Sequence, residues 1–290
     1  MKKEKFFPPK KSSAINYLLK ANPEHPLAKE YLARYNEYQN NITQAVNEKK
    51  EKPQQLPELH PIYAESFYEL FKKTFHILHG KAFDESINNG EPRQFARTLM
   101  LYFLGYKKSF VKSPLLNSQI TDPSMRKGLM IIGGKGVGKT SILKTFHWIF
   151  YNAMTNGIKV KDVNGTEQYL WRYKIHFSFY AANNIVSDYE SITNSDEKDY
   201  FWKKHNGGCN YYDDIMSERV GSNYGKIDVF RDIFENRYNN TNAKTIISLN
   251  YAGSLEDTLN AFAERYGERV FDRIFEMFNV LEMKGGSLRK

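Results

Sequence analysis

Apolar residues recur at three- and four-residue steps at Leu27, Tyr31, Tyr35, Tyr38, Ile42 and Val46. That spacing predicts an amphipathic helix within residues 13 to about 49, with Pro26 suited to a first helical turn. Residues 48–61 are charged and carry Pro53, Pro57 and Pro61, so they read as a linker. A helical pair follows at about 62–79 and 92–106. The period changes at residue 128. Gly128-Leu-Met-Ile-Ile132 is a short unbroken apolar run, the pattern of a strand buried on both faces. A helix is expected over 141–151, and further buried strands over 174–180, 209–212, 245–249 and 280–283. Helical stretches separate them, and this alternation predicts an α/β fold, a mostly parallel sheet flanked by helices. Residues 193–204 are polar and fit a helix or a loop equally. No internal repeat is present.

The first apolar run enters a glycine loop, Gly133-Gly134-Lys135-Gly136-Val137-Gly138-Lys139-Thr140-Ser141. Its glycines let successive backbone N–H groups converge on a phosphate, and the helix that follows adds its positive end. Lys139 is placed to reach the β- and γ-phosphates of ATP, and the Thr140 hydroxyl to ligate Mg²⁺. A glycine-rich turn with an accidental lysine is the bland alternative. The position between an apolar strand and a helix argues against it.

Three later segments supply chemistry that such a loop needs. Cys209-Asn-Tyr-Tyr-Asp213-Asp214 is a strand ending in two carboxylates. Asp213 is the candidate magnesium residue and Asp214 the acid that polarises the attacking water. Glu218, four residues on, is a weaker catalytic candidate and fits a surface role as well. Thr245-Ile-Ile-Ser-Leu-Asn250 is a strand ending in an amide that suits orientation of the attacking water, although asparagine there is also a common turn former. Arg269 and Arg273 stand four apart and share a helix face. Either a guanidinium offered across a subunit boundary or an ion-pair network with Glu268 and Asp272 fits them. Arg289, behind Gly285-Gly286-Ser287, is the last basic candidate.

Charge and cysteine content narrow the picture. The 290 residues carry a formal net charge of +9, which favours contact with nucleic acid, although a solvated basic surface fits charge alone equally well. The single cysteine, Cys209, excludes an internal disulfide framework and a Cys-rich zinc site. No apolar run approaches the ~20 residues of a membrane span. Residues 1–11 are basic, hold two prolines and no apolar stretch, and are expected to be disordered rather than a secretory signal. A cytoplasmic location is expected.

Taken together, the glycine loop, the acid pair, Asn250, Gly267-Glu-Arg-Val-Phe-Asp-Arg273 and the terminal Gly-Gly-Ser-Leu-Arg289 resemble the DnaC/DnaI helicase loaders and the IstB transposition helpers, a branch of the AAA+ ATPases. The resemblance spans roughly residues 95–290. It implies a P-loop AAA+ domain over 95–290 with a minimal or absent lid, since the chain stops just past Arg289. Ahead of it stand a basic helical arm over 1–52, with partner docking as its implied task, and a linker and helix over 53–94. It further implies Lys139 and Thr140 on phosphate and magnesium, and Asp213 and Asp214 as the paired acids with Glu218 just beyond. Asn250 takes the first sensor position, Arg273 that of a finger acting in trans, and Arg289 that of the second sensor. Many AAA+ enzymes have Glu where this chain has Asp214. The partners implied are single-stranded or duplex DNA, a replicative helicase or a transposase, and further copies of the chain in head-to-tail contact. A helicase of the viral superfamily 3 type and a small-molecule kinase are the alternatives from other classes.

Overall fold

The computed structural model describes residues 15, 19–48, 56–222 and 226–288. The basic residues 1–11 and Arg289 lie outside them. Two compact units divide the chain, Met1–Glu58 and Leu59–Lys290. The first holds helix α1 (Pro26–Glu48), which begins on the proline, whose missing N–H is no loss at a helix start. Tyr31, Tyr35 and Tyr38 line one side of it, with successive ring centroids 6.2 and 6.5 Å apart.

The second unit opens with α2 (Ala64–His79), α3 (Ile87–Phe103) and the single turn α4 (Lys107–Phe110). Strand β1 (Gly128–Gly133), which enters the glycine loop, and helix α5 (Lys139–Tyr151) follow. A hairpin of β2 (Lys159–Lys161) and β3 (Glu167–Tyr169) precedes β4 (Ser178–Ala181), α6 (Ala182–Glu190), α7 (Ser195–Asn206) and β5 (Cys209–Asp213). After the two-residue strands β6 (Gly221–Ser222) and β7 (Lys226–Ile227) come α8 (Val229–Tyr238), β8 (Lys244–Leu249), α9 (Leu255–Tyr266), α10 (Glu268–Met277) and β9 (Phe278–Met283).

Strands β4, β5, β8, β1 and β9, in that spatial order, form one wholly parallel five-stranded sheet. This is the α/β P-loop fold that the alternation predicts. Its strands carry apolar residues toward both faces because both faces are covered. Leu129, Ile131, Tyr211, Ile246 and Leu281 enter one core, while Met130, Ile132, Tyr212, Ile247 and Val280 enter the other. The first core is sealed by α2, α3 and α5, where Phe71 stacks on Phe146 with centroids 4.7 Å apart. The second is sealed by α6, α8, α9 and α10.

The sequence signals misplace some boundaries for local reasons. Residues 174–177 do not join β4, since Lys174 takes φ +54° after a 3₁₀ turn. Residues 195–206 are helical, started by the Asn194 side chain, which accepts from the Glu197 N–H at 2.9 Å. The hairpin β2–β3 escapes the pattern reading because only Val160, Asp162 and Gln168 of its residues point inward. Beyond β9 the described residues, 284–288, form no helix.

Candidate functional site

The glycine loop leaves the end of β1 and turns into the first residue of α5. Gly138 stands at φ +100°, a conformation closed to residues with a Cβ, and the buried Val137 side chain pins the loop to the first core. This leaves Gly134, Lys135 and Gly136 as the more open part of the loop. The Lys139 ammonium is buried and donates to the carbonyls of Gly133 at 2.6 Å and Gly134 at 2.9 Å. It also donates to Asn250 Oδ1 at 3.1 Å. The Ser141 carbonyl is taken up by His79 Nε2 at 3.1 Å, which ties the end of α2 to the first turn of α5.

The acid strand reaches the same place from two strands away. Thr140 Oγ1 donates to Asp213 Oδ1 at 3.0 Å, and Ser248 Oγ donates to the same oxygen at 2.7 Å. The Tyr211 hydroxyl donates there too. Burial and the neighbouring Asp213 charge push the Tyr211 phenol well above its ordinary range, so it stays a donor. Tyr211 and Ser248 were not singled out from sequence. The available signal was period two: Tyr211 shares a strand face with Asp213, and Ser248 is a lone hydroxyl on an apolar strand two residues before Asn250.

Asp214 shares Ser248 with Asp213 but is otherwise held differently. It sits at φ +63°, with Met216 at φ +73°, two left-handed residues in a non-glycine turn, each costing ~1–3 kcal/mol. Its N–H donates to Ser248 Oγ at 3.0 Å, and its carboxylate accepts from Asn250 Nδ2 at 2.5 Å. Asn250 therefore spans the two halves of the site, lysine on its oxygen and carboxylate on its nitrogen. The loop residues, Lys139, Thr140, Asp213, Asp214 and Asn250 are thus brought together.

The oxygen pair of Thr140 and Asp213 suits a hard divalent cation that takes its remaining ligands from phosphate and water. Among the described residues no group of three or more His, Cys, Asp or Glu could hold a metal by itself. The residues present fit magnesium carried in with a nucleotide.

Glu218 does not join this group. Its buried carboxylate accepts from the Tyr266 hydroxyl at 2.5 Å and lies 3.5 Å from Arg265 Nη2, and burial raises its pKa. Neither a surface role nor a place beside Asp214 describes it. Arg269 and Arg273 do share a face, and that face meets α8. Arg269 is exposed and pairs with Glu235 at 3.8 Å. Arg273 lies over the Tyr238 ring, 4.3 Å from its centre, and its Nη1 is shielded from solvent with no hydrogen-bond partner among the described residues. In place of the alternative pairing with Glu268 and Asp272, the described contacts of both arginines are to another helix.

One further element touches the loop. The Leu288 N–H donates to the Gly136 carbonyl at 2.9 Å, so the segment after β9 crosses the glycine loop. That segment is anchored by an Asn88-Asn89-Gly90 turn whose three residues are all left-handed. Glu91 accepts from the N–H groups of Lys284 at 2.6 Å and Gly285 at 2.7 Å, and Asn88 Nδ2 donates to the Gly286 carbonyl at 2.7 Å. The Asn-Asn-Gly triplet was a readable turn signal, but nothing in it announced a partner almost two hundred residues away.

No protein-family model matches the chain, and no curated protein matches it. Among solved structures it is similar to the crystal structure of the DnaC helicase loader, with 26% sequence identity and a TM-score of 0.39, over 55% of this chain and 79% of that one. It is also similar to a proposed primosome component from Streptococcus pyogenes serotype M3, with 17% identity and a TM-score of 0.44, over 75% of this chain and 91% of that one.

Proposed function

We propose that this chain hydrolyses ATP and uses the cycle to deliver or activate a replicative helicase on single-stranded DNA, working as a homo-oligomer with head-to-tail interfaces. The observation that carries the reading is Asn250, bonded at once to Lys139 of the glycine loop and to Asp214 of the acid pair. A simple phosphate-binding loop has no need of that second bond. A hydrolase needs its cation and its acid held in fixed relation.

The residues divide the work as follows. Loop N–H groups and Lys139 bind the phosphates, and the phosphate oxygens compete with the Gly133 and Gly134 carbonyls for the ammonium. Thr140 and Asp213 would hold magnesium, which when bound neutralises charge on the β- and γ-phosphates. Asp214 orients a water and accepts its proton as the water oxygen bonds to the γ-phosphorus. The bond from that phosphorus to the bridging oxygen breaks, and ADP leaves with the electron pair. Asn250 orients Asp214. DNA and helicase as partners are supported by the +9 charge and by the order of motifs shared with the loader branch. Among the described residues no helix is long and apolar enough to cross a membrane.

The test is an ATPase and nucleotide-binding assay on the parent chain, Lys139→Ala and Asp214→Asn, joined to anisotropy with labelled oligonucleotides. The parent should turn over ATP with magnesium, Lys139→Ala should lose ATP binding, and Asp214→Asn should bind ATP without turnover. Parental ATP affinity in Lys139→Ala would sink the assignment. With ATP, single strands should bind with a log–log salt slope of about −0.7 per neutralised phosphate. A preference for duplex would point to a transposition helper instead.

A further inference from the structure

The turn that carries Asp214 is left-handed at two residues and must be held from outside itself. Ser248 holds its first half, accepting the Asp214 N–H through Oγ and the Ile215 N–H through its carbonyl at 2.9 Å. Within the second half Ser217 bonds back to the Asp214 carbonyl through its N–H and its hydroxyl, and the Met216 N–H is held from outside by a phenol. Tyr266 Oη accepts the Met216 N–H at 3.2 Å and donates to Glu218 Oε1 at 2.5 Å. The ring of Tyr266 is buried against Phe262 and Phe234, with centroids 4.7 and 5.3 Å away, so the hydroxyl has little freedom. Arg265, the residue before it, donates to the Glu218 carbonyl at 3.1 Å and reaches the Asp228 carboxylate at 3.3 Å. Among the described residues Glu218 Oε2 has no hydrogen-bond partner, and Oε1 accepts from the tyrosine with Arg265 Nη2 3.5 Å away.

We propose that Tyr266 and Glu218 are positioning residues for hydrolysis: the chain Glu218–Tyr266–Met216 locks the turn so that the Asp214 carboxylate stays on Asn250. A buried acid is an expensive way to orient a phenol, and packing alone does not call for it. Its effect is to fix the phenol proton on Glu218, leaving the oxygen lone pairs of Tyr266 for the Met216 N–H. The proposal rests on the ATPase reading for its kinetic consequence and not for its structural one.

Three variants test it: Tyr266→Phe, which removes the hydroxyl and keeps the ring; Glu218→Leu; and Glu218→Gln, which keeps an acceptor for the phenol. Steady-state ATPase kinetics are read beside hydrogen exchange of the peptide spanning residues 213–218. Tyr266→Phe and Glu218→Leu should lower kcat at least tenfold with KM for ATP within twofold of parental, and should speed exchange in that peptide. Glu218→Gln should recover most of the kcat that Glu218→Leu loses. Parental kcat in Tyr266→Phe would overturn the proposal, as would a Glu218→Gln variant as inactive as Glu218→Leu, because the carboxylate would then act in its own right. A parent chain that turns over no ATP would defeat the ATPase reading. The exchange of the Tyr266→Phe peptide would then decide this proposal alone, and unchanged exchange would overturn it.

Discussion

Lys139 and Asn250 are in contact: the ammonium of the first lies 3.1 Å from the amide oxygen of the second, although 111 residues separate them in the chain. The contact exists because β8 is inserted between the strand of the glycine loop and the strand of the acid pair. The residue that ends β8 therefore falls between the cation and the acid.

Asn250→Ala should accordingly leave ATP bound but poorly hydrolysed. The phosphate still has the loop and Lys139, whereas the Asp214 carboxylate loses the bond from Asn250 Nδ2. A fall of about 10²-fold in kcat, with nucleotide affinity changed little, is the size seen when one preorganised polar group is removed from a transition state. Single-turnover and steady-state assays with a fluorescent-nucleotide titration check this. Parental kcat would remove Asn250 from the mechanism.

Gly285→Ala should weaken nucleotide binding from a distance. A Cβ there would stand 2.5 Å from Asn88 Nδ2 and 2.5 Å from Glu91 Oε2, closer than any real contact. The Asn88 and Glu91 side chains must then swing away and give up their bonds to residues 284–286, which loosens the segment whose Leu288 N–H reaches the glycine loop. The two N–H bonds to the Glu91 carboxylate are of the charge-assisted kind, so a loss of about tenfold in ATP affinity is expected. Equal affinities by titration calorimetry would show that this segment is indifferent to the loop.

Acid should destabilise the chain through His205. This ring is fully buried among Tyr180, Phe201 and Tyr212, and burial, helped by the charges of Lys204 and Arg237, pushes its pKa down to about 3. The unfolded chain takes up the proton near pH 6.5 and the folded chain does not, so stability present above that pH is lost as pH falls toward 3. Between pH 7.5 and 5 the loss from this one group is about 2 kcal/mol. His205→Leu should flatten that limb in denaturant titrations at the two pH values. An equal slope in both proteins would clear His205 of the effect.

Arg273 tests assembly. If its guanidinium reaches a neighbour's nucleotide, turnover per subunit should rise with protein concentration, and a mixture of Arg273→Ala and Asp214→Asn subunits should recover activity that neither has alone. Fingers of this kind contribute ~10³–10⁵ in rate, so recovery should be easy to see. Concentration-independent turnover and no recovery would leave Arg273 as the cation seated on Tyr238.

The parts of the site legible in sequence were those whose chemistry is local. The glycine loop, Thr140, the acid pair and Asn250 each end or begin an element with a strong apolar period, so both their residue type and their place could be read. What stayed hidden depends on pairing across the sheet or between helices. Tyr211 and Ser248 read as ordinary strand residues until β5 and β8 are set side by side in register, Tyr211 opposite Ile246 and Tyr212 opposite Ile247. Glu218 reads from sequence as either a catalytic or a surface acid, because its partner Tyr266 lies 48 residues on. The hold of Asn88 and Glu91 on residues 284–286 joins opposite ends of the second unit, and no window along the chain contains both.

The strand order also sets a timetable. A chain growing on the ribosome presents the glycine loop first and the acid pair some seventy residues later, but their strands are not neighbours in the sheet; β8, which follows Tyr238, lies between them. Until residues 244–250 have emerged, Lys139 lacks Asn250, and Asp213 and Asp214 lack Ser248. A nascent chain therefore carries a complete phosphate-loop sequence for much of its synthesis without a working site. The hydrolysis proposed above would become available only when the sheet is nearly closed, and a truncated product would carry the glycine loop without the residues that complete its surroundings.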